Sequence, residues 1–102
     1  MDPHRRAELR SLAYHREIAA RIAEEPAILE RARTRVKWCH RTGQVHPRYA
    51  RLWEELLARS LEDIKEALVA ETETMLAARQ STPFAGALSA RERWRLWRSV
   101  AS

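Results

Sequence analysis

The sequence predicts an all-α protein, a single compact domain over residues 1–102 built as an irregular array of about five to six helices. Three observations predict it. Ala, Leu, Arg and Glu, which lose little rotamer freedom on a helix, dominate the chain, and only 2 Gly and 4 Pro interrupt them. Apolar residues recur at spacings of three and four, and no segment reads with confidence as a strand. Hydrophobic residues at 45% and charged residues at 32% belong to the globular range, and 102 residues suffice for one core.

Asp2-Pro3 starts the first helix, because the carboxylate accepts from free amides and a proline at the first position lacks a donor that would go unpaired. Its apolar arc of Leu9, Leu12, Ile18, Ala19, Ile22 and Ala23 predicts a helix from Pro3 to Glu25. Ser11 and His15 fall inside that arc. A histidine there needs a partner, and Ser11 or a backbone carbonyl is expected to supply it.

Pro26 opens the second helix, with the stripe Ile28, Leu29, Ala32, Val36 and Cys39, and Gly43 is expected to end it just past Thr42. Trp38 faces away from this stripe, on the side of Arg31, Thr34 and Arg35. Pro47 opens a third helix whose stripe Tyr49, Leu52, Trp53, Leu56 and Leu57 is core. Ser60 caps the next, and Leu61, Ile64, Leu68, Val69, Met75 and Leu76 continue a stripe to about Arg79. A kink is expected across Glu71–Thr74, where Thr72 is also able to cap a fresh helix. Ser89 and Glu92 form a capping box for the last helix, whose apolar edge is Trp94, Trp97 and Val100.

The formal charge of +5 is unevenly spread. Residues 28–48 set Arg31, Arg33, Arg35, Lys37, Arg41 and Arg48 against Glu30, whereas 54–73 set seven carboxylates against Arg59 and Lys65. A helix-turn-helix built on residues 47–69 would place Glu62, Asp63 and Glu66 where a DNA reader needs donors, which argues against it. Nucleic acid, if bound, is expected at the second helix through Arg31, Arg35 and Trp38, together with the C-terminal arginines.

Cys39, His40 and His46 lack the paired spacing of a zinc site, so no metal and no cofactor are expected. No nucleophile stands with an evident base, no glycine-rich phosphate loop exists, and the carboxylates of 62–73 read as a solvated face, which argues against an enzyme. One cysteine, no apolar leader and no apolar run of membrane length predict a cytoplasmic protein without membrane attachment. Phe84, Leu88, Trp94 and Trp97, interleaved with arginines including Arg93, are the residue types of interface hot spots. They either close the domain, Trp94 foremost, or meet a partner.

The strings 79-RQSTPFAGALSARERWRLWR-98 and 53-WEELLARSLEDIKEALVAETE-73, with the opening helix at Leu9–Ala19, resemble a group of small bacterial antitoxins. These accompany a nucleotidyltransferase-type toxin in two-gene modules. The resemblance implies an antitoxin of a toxin-antitoxin system that neutralises the toxin encoded by the neighbouring gene through direct protein–protein binding. Phe84, Leu88, Arg93, Trp94 and Trp97 would then anchor the partner, and Glu62, Asp63 and Glu66 would cover a basic cleft. The alternative is a nucleic-acid-binding transcriptional regulator on operator DNA, and self-association as a homodimer is open in either case.

Overall fold

The computed structural model describes residues 2–100 and contains six α-helices, with no strand among them. In chain order these are α1 (Pro3–Arg21), α2 (Pro26–Thr42), α3 (Pro47–Leu57), α4 (Leu61–Leu68), α5 (Glu73–Ala78) and α6 (Ala90–Val100), with a 3-10 turn at Arg79–Ser81. A radius of gyration of 13.3 Å is that of one compact unit of this length. No helix among the described residues is long and apolar enough to cross a membrane.

The helix boundaries follow local chemistry. Asp2 accepts from the His4 amide at 3.3 Å, Ser60 from Asp63 at 3.2 Å and Thr72 from Met75 at 3.2 Å. Pro3, Pro26 and Pro47 each occupy a first turn, where a missing donor costs nothing. Gly43 ends α2 with φ +73°, a left-handed conformation that favours glycine.

Two boundaries differ from expectation. α1 stops at Arg21 and leaves a turn before Pro26, because the residue preceding a proline is pushed out of the helical region. Between α4 and α5 the chain breaks fully rather than kinking. Thr72 caps α5 afresh, and Arg79, buried just past α5, stabilises the break, its Nη1 donating to the carbonyls of Leu68 and Ala70 at 3.2 and 2.7 Å. Arg79 satisfies acceptors that a continuous helix would have paired with later amides.

α2 packs on α3, α3 on α4 and α5, and α1 on both α4 and α6. The core between them takes Ile18 and Ile22 from α1, Val36 from α2, Trp53 and Leu57 from α3, and Ile64 and Leu68 from α4. Trp53 donates its indole N–H to the Ala78 carbonyl at 3.1 Å, so its polar atom is satisfied inside. Cys39 lies half-buried at the edge of this core, short of the full burial its stripe predicts.

Candidate functional site

The segment between the 3-10 turn and α6, residues 82–88, has no regular structure of its own and is held by hydrogen bonds from α1 and α2. From α1, the Tyr14 hydroxyl donates to the Phe84 carbonyl at 2.6 Å and accepts from the Leu88 amide at 3.4 Å, so one phenol spans the loop. His15 is 1% exposed, with Nδ1 2.7 Å from the Ser11 carbonyl and Nε2 2.8 Å from Thr82 Oγ1. A carbonyl only accepts, so Nδ1 carries the proton and Nε2 accepts from the Thr82 hydroxyl. Thr82 Oγ1 in turn accepts from the Phe84 amide at 3.2 Å. From α2, Arg35 Nη1 donates to the Ala85 carbonyl at 3.0 Å. Gly86 turns the loop with φ +83°, which a side chain would strain.

Burial pushes the His15 pKa down to about 4, against a smaller raising effect of the Ser11 carbonyl, and the nearby positive charge of Arg79 lowers it further. His15 is therefore a neutral pin at neutral pH. Its partnership with the Ser11 backbone matches the expectation from the apolar arc of α1.

Phe84 and Leu88 are 1% and 3% exposed, members of the core rather than of a docking surface. Phe84 meets Trp53 edge-on at a centroid distance of 6.1 Å and His15 at 6.3 Å. Both were expected among partner-binding residues, and the correction has a simple cause. A loop with few internal hydrogen bonds stays attached only if its large apolar side chains are buried.

The tryptophans of α6 also exchange roles. Trp94, the one expected to fold back, is 58% exposed, while Trp97 is half-buried, its ring 5.4 Å from the Arg10 guanidinium and 5.8 Å from that of Arg93. α6 meets the body through Leu96 and Trp97, and Trp94 falls on its outer side. The capping box is formed as predicted, with the Ser89 amide donating to Glu92 at 2.9 Å and the Glu92 amide to Ser89 Oγ at 3.1 Å. Glu92 also pairs with Arg21 of α1, tying the helix to the core. The Ser89 amide first, then Arg21, hold its carboxyl down to about 2. The folded value lies below the ordinary one of 4.5, so this tether is present above that pH and is lost as pH falls through about 2. Ser89→Ala should cost about 1 kcal/mol of thermal stability. It should also release α6 at a higher pH, read by tryptophan fluorescence during acid titration.

Two of the concavities that flank the loop are lined by several arginines. One, of about 460 Å³, lies between α1, α6 and the loop and is lined by Arg6, Arg10, Tyr14, His15, Arg93 and Trp97. The other, of about 640 Å³, lies between α2 and the loop and is lined by Arg31, Thr34, Arg35, Trp38 and Arg41, with Ala85 of the loop opposite. Arg31, Arg35 and Trp38 thus share one groove, and Trp38 is 48% exposed. Glu62, Asp63 and Glu66 are exposed on α4 and line neither concavity.

Tyr14 and Thr82 were not expected as pins of the loop, nor Arg6 and Arg10 as residues beside it. The i, i+4 spacing of those two arginines was the available signal. Among the described residues no cluster of three or more His, Cys, Asp or Glu is arranged to hold a metal ion. No family model matches the chain, and no curated protein and no solved structure shows significant similarity to it.

Proposed function

We propose that this protein is an antitoxin-like binding module, neutralising the nucleotidyltransferase-type toxin encoded beside it by direct contact. The single observation that carries the reading is Trp94, held 58% exposed on a helix that is itself fastened at both its cap and its Arg21–Glu92 pair. A rigid, bare indole among the exposed arginines Arg91, Arg95 and Arg98 combines the two residue types most enriched at binding hot spots. The exposed acidic trio Glu62, Asp63 and Glu66 suits a second contact with a basic, nucleotide-binding cleft.

Titrating the full chain with the purified product of the neighbouring gene tests the reading. Trp94→Ala should raise Kd by about 30-fold or more, the size expected of a hot spot, with thermal stability unchanged. Replacing Glu62, Asp63 and Glu66 with lysine should slow association most at low salt. An unaltered Kd in a folded Trp94→Ala protein removes the anchor, and absence of any complex removes the function.

The groove holding Arg31, Arg35 and exposed Trp38 favours a second reading, a nucleic-acid-binding regulator. Its mark would be a gel shift that weakens by orders of magnitude from 50 to 200 mM salt. Arg31→Ala or Trp38→Ala should reduce that shift, and Trp94→Ala should not.

A further inference from the structure

We propose that the concavity between α1, α6 and the 82–88 loop is an oxyanion site that takes the phosphoryl group of a small phosphomonoester. This stands independently of the partner-binding reading, since it uses neither Trp94 nor the acidic face of α4.

Three arginines converge on this concavity. Arg6 and Arg10 stand one turn apart on α1, and Arg93 faces them from α6. The Nε of each is buried and has no hydrogen-bond partner among the described residues. A buried charged donor left unpaired is unfavourable, so a built cluster of three points to an acceptor. Among the described residues no carboxylate lines the concavity. Glu92, adjacent to Arg93 in the chain, is committed to Arg21 and Ser89.

The floor of the concavity is already satisfied. Tyr14 hydroxyl serves both ends of the loop, and both ring nitrogens of His15 are engaged. Among the described residues, the buried side-chain atoms left unpaired around the concavity are therefore all guanidinium nitrogens. Guanidinium forks match phosphate geometry, and three mutually repelling cations are compensated better by a dianion than by a single carboxylate. The volume of about 460 Å³ is that of a small-ligand site. Pro3, Ala7, Ala85 and the edge held by Trp97 give an apolar wall for the carrier of the phosphate.

A pH signature identifies the ligand. The groups facing the site are Arg6, Arg10, Tyr14 and His15 from α1, Arg93 from α6, and the uncharged Thr82 from the loop. His15, held near 4 by burial, stays neutral from pH 5 to 7. The phosphomonoester titrates in this window, with its second ionisation near pH 6.

Calorimetric titration of the full chain with phenyl phosphate, glycerol 3-phosphate and sulfate at pH 5 and 7 tests the site. Both monoesters should bind about tenfold tighter at pH 7, while sulfate, a dianion at both values, should not change. Tighter binding of phenyl phosphate upholds the site and assigns an aromatic carrier, and equal binding upholds it and assigns recognition to the phosphate alone. Arg6→Gln and Arg93→Gln should each weaken phenyl phosphate by about tenfold or more, with Arg59→Gln on the open surface unchanged. Arg6→Lys, which keeps the charge and loses the fork, should fall between them and covers the case of a glutamine variant that fails to fold. No saturable binding, identical affinities at the two pH values, equal loss in Arg59→Gln, or a polyglutamate peptide binding more tightly than phenyl phosphate would each overturn the proposal.

Discussion

Replacing Phe84 with alanine is expected to lower the unfolding free energy by about 3–5 kcal/mol, a large share of the roughly 5–15 kcal/mol that holds a domain together. The ring is fully enclosed, edge-on to Trp53 and His15, and its backbone carbonyl is the acceptor for Tyr14. Removing it leaves a cavity under a loop that Tyr14, His15 and Arg35 hold in place, so collapse of the site recovers little. Urea denaturation measures the loss as a lower midpoint. Phe84→Leu, which keeps most of the volume, should cost far less. A variant with unchanged midpoint but impaired partner binding would return Phe84 to the surface role that its sequence context first indicated.

Acidification from pH 6.5 to 4 is expected to remove on the order of 3 kcal/mol through His15 alone. Its folded pKa of about 4 lies below the ordinary 6.5, so the unfolded chain binds the proton first. The neutral form favours the fold, its contribution is complete above about 6.5, and it declines steadily until about 4, where the curve levels. Little screening is expected, since the ring is enclosed. Chemical denaturation across this range gives the slope directly. His15→Asn, which cannot titrate, should flatten it whatever its effect on absolute stability. A wild-type curve that is already flat from 6.5 to 4 would mean that His15 reaches water when charged.

These two residues show how far the chain could be read without coordinates. His15 was legible because a single titratable group on an otherwise apolar arc has to find a partner within its own turn or nearby. Phe84 was legible as important and misread in direction. A one-dimensional pattern says that an aromatic in a loop is buried against something, and says nothing of whether the other surface belongs to the same molecule. Trp94 and Trp97 were ambiguous for a related reason. Both lie on the apolar edge of α6, and which of them meets the body depends on the rotation of that helix. The Arg21–Glu92 pair and the two arginines around Trp97 set that rotation.

The approach of Arg93 to the Arg6–Arg10 pair was invisible in the sequence, since Arg93 lies more than eighty residues from either. Arg79 was equally hidden. Nothing local distinguishes an arginine that ends a helix in solvent from one that folds inward to cap α4.

The helices, their caps and the all-α class were determined by the sequence alone, because propensity, proline placement and capping act within a single turn. The orientation of α6, the enclosure of Phe84 and Leu88, the burial of Arg79 and the gathering of three unpaired guanidiniums were decided only by tertiary structure. Burial and electrostatic pairing depend on distances between chain segments, and those distances exist only once the segments are packed.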